Sequence, residues 1–87
     1  MMKILNIEPT PSPNSMKIVI DQDLPFGKSF NYTKDNIADA SPELQAIFAV
    51  EGVKGIYHVS NFLAVERNAK FAWEQVLSGI RAALGEG

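Results

Sequence analysis

The 87-residue chain contains no cysteine and a single histidine, His58. The first absence excludes disulfides, thiolate metal sites, cysteine nucleophiles and cysteine-ligated iron–sulfur clusters within these residues. The second leaves too few imidazoles for a ferrous site, which wants two histidines and a carboxylate. Positive charge is also scarce: eight Lys and Arg stand against ten Asp and Glu, for a formal net charge of -2. Nucleic-acid binding needs a basic footprint that displaces counterions, so nucleic acid is not an expected partner. No apolar run approaches the length that crosses a bilayer, so no membrane partner is expected either. The opening "MMKILNIEP" is interrupted by Glu8 and Pro9, too early for the apolar core of a signal peptide. The expected setting is cytoplasmic.

What remains is suited to one small domain over residues 1–87, with 46% hydrophobic residues to build a single core. Its stability should be modest, because so short a chain buries a limited share of its surface. "KILNI" alternates Ile4 and Asn6 against Leu5 and Ile7 and suits a short strand. "MKIVI" puts Met16, Ile18 and Ile20 on one face, a period of two with β-branched residues. "DQDLPFG" reads as a turn, and "KSFNYT" as a third strand with Phe30 and Tyr32 on one side.

Ser41-Pro42-Glu43 then opens a helix: a cap, a first-turn proline and an acid at the positive end of the dipole. Leu44, Ile47 and Phe48 share its apolar face. Gly52 suits a left-handed C-terminal position with a Phe48–Val53 contact, which predicts a helix of about ten residues. "VKGIYHVSNFLAVER" reads as a hairpin turning at Ser60-Asn61, with Val59 facing Phe62, His58 facing Leu63 and Ile56 facing Val65. From about Phe71 a second helix carries an apolar stripe of Trp73, Val76, Leu77, Ile80 and Leu84, ended by Gly85. The order β-β-β-α-β-β-α implies an α+β fold. We expect a two-layer sandwich, with a mainly antiparallel sheet of about five strands and two helices on one face.

Candidate chemistry is thin. His58 reads as a hairpin residue near the sheet edge, and no nucleophile, base and orienter come together, so no catalytic residue and no enzyme are expected. Asp21, Asp23, Asp35 and Asp39 read as solvated acids without the ordered ligand spacing of a calcium loop, so no metal site and no cofactor are expected. Gly52-Val53-Lys54-Gly55 lacks the spacing and the hydroxyl residue of a phosphate loop.

The one unusual stretch is Glu8 to Ser15, "EPTPSPNS", with prolines at 9, 11 and 13. Each residue before a proline is held extended, so the segment is expected near polyproline II with unpaired carbonyls facing outward. It reads first as a stiff crossover that sets the register of the first two strands. It also reads as a rigid polar surface for partner contacts, since a stiff loop loses little entropy on binding.

Taken in order, "EPTPSPNSMKIVI", "GKSFNYT", "SPELQAIFAVEGVKGIYHVSNFLAVER" and a Trp-bearing final helix resemble the N-terminal domain of Nfu/NifU-type iron–sulfur scaffold proteins. The resemblance covers nearly the whole chain. In that family the cluster is held by a separate C-terminal domain through Cys-x-x-Cys, which these residues lack, so the chain resembles a stand-alone form without that domain. Related domains occur alone or fused to helical-repeat regions. Ser12 stands where the family often has Asn, and Asn61 where it often has Asp. The resemblance implies an accessory, non-enzymatic interaction module tied to iron–sulfur assembly or delivery. Its partners would be iron–sulfur assembly proteins or client apoproteins, bound by a monomer. The expected contact surface is Thr10, Pro11, Pro13, Asn14 and Lys17, joined by Asn61. The alternative is a peptide- or phosphopeptide-binding module that uses an exposed strand edge, with Lys17 or Lys54 as the anion contact.

Overall fold

A computed structural model of the protein describes residues 3–21 and 28–85. The expected turn at 21–27 therefore lies, apart from Asp21, outside the described residues, as do the last two residues of the tail. Five strands are present: β1 (Ile4–Pro9), β2 (Ser15–Ile20), β3 (Ser29–Tyr32), β4 (Val53–Val59) and β5 (Phe62–Arg67). They form one sheet in the order β1-β2-β5-β4-β3, every neighbouring pair antiparallel. Helices α1 (Pro42–Phe48) and α2 (Trp73–Ala83) carry the rest of the core, with a short 3-10 turn at Ile37–Asp39 ahead of α1. This is the expected α+β architecture.

The register explains which side chains go inward. Ile18 pairs with Leu63, and Leu63 pairs with His58; Met16 pairs with Val65, and Val65 with Ile56. Cross-strand partners share a face, so these rows line one side of the sheet. Ile18, Leu63, Val65 and Ile56 are buried there under Leu44 and Ile47 of α1 and Val76 and Ile80 of α2. Removing any one of these aliphatic side chains would cost about 2–5 kcal/mol.

Three local readings change. In β1 the register shifts between Ile4 and Asn6, so strict alternation fails. Ile4 and Ile7 both pack against the core, while Leu5 is 61% exposed. A bulge with Pro9 at the strand's end also blunts this sheet edge against further pairing. Helix α1 is capped as expected, its Leu44 amide donating to Ser41 Oγ at 3.4 Å, but it stops at Phe48 after seven residues. Gly52 does have φ +100, yet the Val53 amide donates to Val50 O rather than back to Phe48. It is the third residue of a tight turn leading into β4, not a helix cap.

His58 is the third correction. It sits on β4, flanked by β3 and β5, and is 6% exposed on the core face. The sheet edges are taken by the short β3 and by β1. The β4–β5 hairpin has the three expected pairs, Val59–Phe62, His58–Leu63 and Ile56–Val65, with Ser60 at φ +52 in its turn; its register shifts only beyond Gly55.

Close approaches fix α2 on the sheet. A Cβ added at Gly79 would stand 2.6 Å from Val50 Cγ1, so only glycine lets the helix reach the α1–β4 turn. Among the described residues, no helix is long and apolar enough to cross a membrane.

Candidate functional site

The proline segment is a hairpin loop, because β1 and β2 are antiparallel neighbours whose last pair is Pro9 and Met16. It is neither a crossover nor a polyproline II rod. Ser12-Pro13-Asn14-Ser15 forms a turn closed by the Ser15 amide on Ser12 O at 3.3 Å. Proline at the second position presets φ for such a turn, and Asn suits the third. Thr10 organises the rest: its hydroxyl lies 3.0 Å from both Ser12 O and Ser15 O and accepts the Ser12 amide at 3.2 Å. A second local bond runs from the Asn14 amide to Ser12 Oγ at 3.4 Å.

The loop is also docked from outside. Trp73 Nε1, at the start of α2, donates to Pro13 O at 2.9 Å, and the Arg67 amide donates to Asn14 O at 2.9 Å. The carbonyls of residues 12 to 15 are therefore engaged rather than turned outward unpaired. Arg67 completes the support, with Nη1 donating to Phe71 O at 2.9 Å and its guanidinium 5.3 Å from the Trp73 ring centre. A cation–π contact of the guanidinium with the indole both holds the arginine and keeps its charge in place.

The expected contact residues separate into two groups. Pro11, Pro13 and Asn14 are exposed at the loop tip, and Thr10 lies half-buried beneath them as the loop's internal tie. Lys17 lies on the opposite, helix-free face of the sheet, paired with Ala64. Its Nζ is 4.6 Å from the centre of the Phe62 ring, so the side chain leans away from the loop. Asn61 is next to Phe62 at the far end of β5, where its carbonyl accepts the Ile20 amide. The span from Ser15 to Val19 along β2 is about 13 Å at the usual rise per residue. The structure thus joins Thr10, Pro11, Pro13 and Asn14, and leaves Lys17 and Asn61 elsewhere.

Beside the loop lies a groove of 670 Å³ lined by Ser12, Asn14, Ser15, Lys54, Glu66, Arg67, Asn68 and Ala69. A smaller groove of 390 Å³ continues from it over the helix-free face, past Tyr57 and Asn31, and shares Ser15, Lys54 and Glu66. Lys54 falls where the β4–β5 register shifts, between the Val53–Arg67 and Gly55–Glu66 pairs. Such a bulge re-aims a side chain. Sequence reasoning did not place Arg67, Asn68 or Trp73 at this surface. One signal was present: Arg67 continues the inward parity of Leu63 and Val65, an odd place for a cation unless a partner awaits it.

The donor set does not fit a cluster or a protein-bound iron. Thiolate is missing from the chain, its one imidazole is buried, and among the described residues no three His, Asp or Glu side chains gather closely enough to hold a metal ion. What the surface offers is hydrogen bonding and charge on a stiff frame.

A two-layer α+β domain with one helix-free sheet face and a docked proline loop at one end is the class these features define. Residues 4–87 match the family described as "Scaffold protein Nfu/NifU N terminal", and the chain belongs to that family. It is 50% identical over 84 residues to uncharacterized protein YpgR of Bacillus subtilis, covering 97% of the chain and 22% of that protein. It is 43% identical over 86 residues to conserved virulence factor C of Staphylococcus saprophyticus, covering 98% of the chain and 23% of that protein. A crystal structure of protein SAV1430 from Staphylococcus aureus superposes with a TM-score of 0.85 at 35% identity, covering 94% of this chain and 98% of that one. The chain spans less than a quarter of the length of these curated relatives, yet its fold accounts for nearly all of the SAV1430 chain.

Proposed function

We propose that the protein is a non-enzymatic interaction module serving iron–sulfur protein maturation, and that its proline loop and the adjoining groove receive a protein partner. Family membership supports the iron–sulfur context. The observation that carries the site is the docking of an exposed loop by Thr10, Trp73 and the Arg67 amide. A loop already held in one shape gives up little conformational entropy when a partner binds. Its exposed Pro11, Pro13 and Asn14 have no part in the core, so their chemistry is free for contacts. Without thiolates, the module would act beside a cluster-bearing protein rather than as the carrier.

The test is amide shift mapping on the labelled chain during titration with iron–sulfur assembly proteins and client apoproteins. Changes are expected at residues 10–15, 54 and 66–69. Changes confined to α1 and the C-terminal half of α2 would remove the site, and no change with any of these proteins would remove the iron–sulfur reading.

A further inference from the structure

The larger groove has a charge arrangement that runs against the sign of the whole chain. The formal net charge is -2, but the groove is lined by two cations, Lys54 and Arg67, and one carboxylate, Glu66. Neither cation has a carboxylate partner among the described residues. Lys54 is exposed and carried on the β4 bulge. Arg67 is half-buried and fixed by Phe71 O and the Trp73 ring, while its Nε is buried without a hydrogen-bond partner. The remaining lining is short and polar, with Ser12, Asn14, Ser15 and Asn68 able to meet a peptide backbone.

We propose that this groove seats an extended acidic segment of the partner protein, a carboxylate side chain lying between Lys54 and Arg67. The inference rests on the proposed docking function and names the chemistry of its partner. Three features favour it. Arg67 is already immobilised, so pairing with it orders one side chain fewer. The larger groove is lined by no aromatic or large aliphatic side chain, which suits backbone contacts with charge-based selection. The smaller continuation past Tyr57 gives an extended segment somewhere to run; Lys54 and Glu66 offset one another at the junction of the two grooves, and Arg67 lines only the larger one as its uncompensated cation. The acidic residue is thereby directed to the Arg67 end and neutral residues to the Tyr57 end.

A carboxylate fits better than a phosphate. With Nη1 committed to Phe71 O and Nε buried, Arg67 has only Nη2 left for a ligand, enough for one charge-assisted bond to a singly charged group. The nearby Glu66 also opposes a dianion about twice as strongly as a single negative charge.

The experiment is selection of a displayed random-peptide library against the intact chain, followed by binding and amide shift mapping with synthesised peptides. The expected peptides carry Asp or Glu, and replacing that residue by Asn or Gln weakens binding roughly fivefold, the scale of a partly exposed ion pair. Lys54→Gln weakens the acidic peptide by a similar factor, Glu66→Gln tightens it, and Lys34→Gln on an exposed site outside the groove changes nothing. Lys54 makes no contact that holds the fold, so its variant keeps the parent thermal midpoint. Groove shifts that are indifferent to peptide charge, or a Lys54→Gln variant that binds as the parent does, overturn the acidic reading and leave the docking site standing. Tighter binding of a phosphoserine peptide than of its Glu counterpart overturns it in favour of a phosphate reader. A library that yields no binder, or binders that shift only the helical layer, overturns both readings.

Discussion

Thr10, Arg67 and Trp73 each hold the proline loop through atoms that residue type alone does not reveal. Thr10 looks like one more polar residue in "EPTPSPNS", yet its hydroxyl touches two carbonyls and an amide within the loop. The indole of Trp73 was legible as part of an apolar stripe, and it does pack beside the core. Its hydrogen bond to Pro13, from a residue 60 positions away, was not legible, because only the docking of α2 brings the two together. Trp73→Phe keeps an aromatic ring at the position and deletes that bond. The expected loss is about 1 kcal/mol by chemical denaturation, with water able to reach the freed, exposed Pro13 carbonyl. Hydrogen exchange at the Ser15 and Arg67 amides should quicken more than exchange at Ile18 or Leu63; uniform quickening would show that Trp73 acts on the core instead.

At the scale of elements, hydrophobic periodicity was a good guide wherever the element was long or two-sided. The α2 stripe and the β4–β5 register follow directly from spacing, since a one-residue slip would turn Ile56, Leu63 and Val65 to solvent. Periodicity failed at interruptions. The β1 bulge brings Ile4 and Ile7 to one face against strict alternation, and α1 ends at Phe48, short of a tight turn whose Val50 meets Gly79. The hairpin turn is a strained local choice, with Ser60 at φ +52 where a glycine is preferred. Ser60→Gly is expected to stabilise the protein by about 0.5–1 kcal/mol, relieving the left-handed strain faster than it loosens the unfolded chain. Thermal unfolding checks the sign, and a lower midpoint would mean that Ser60 makes a compensating contact. The site is at the opposite end of β5 from the proline loop, so partner binding at the loop should be untouched.

For the molecule as a whole, the relation between charge, fold and family sets its chemistry. Two helices cover one sheet face and leave the other to Lys17, Tyr57 and Phe62, so the core is one-sided and the surface is polar with isolated aromatics. With no thiolate and one buried imidazole, anaerobic titration with ferrous iron is expected to show no saturable binding. A stoichiometric spectral change would establish a carboxylate site and displace the view of the domain as an accessory to other proteins' clusters.

The sequence by itself determined the fold class, the strand and helix order, the buried faces of β2, β5 and the two helices, and the exclusion of cysteine chemistry. Each of these depends on residue type or on spacing within a single element, which are local quantities. Tertiary structure alone decided that the proline segment is a docked hairpin loop, that Lys17 and Asn61 stand apart from it, and that Lys54, Glu66 and Arg67 meet beside it. Those facts depend on sheet register, a bulge and the seating of α2, and each joins residues far apart in the chain through contacts that no local pattern encodes.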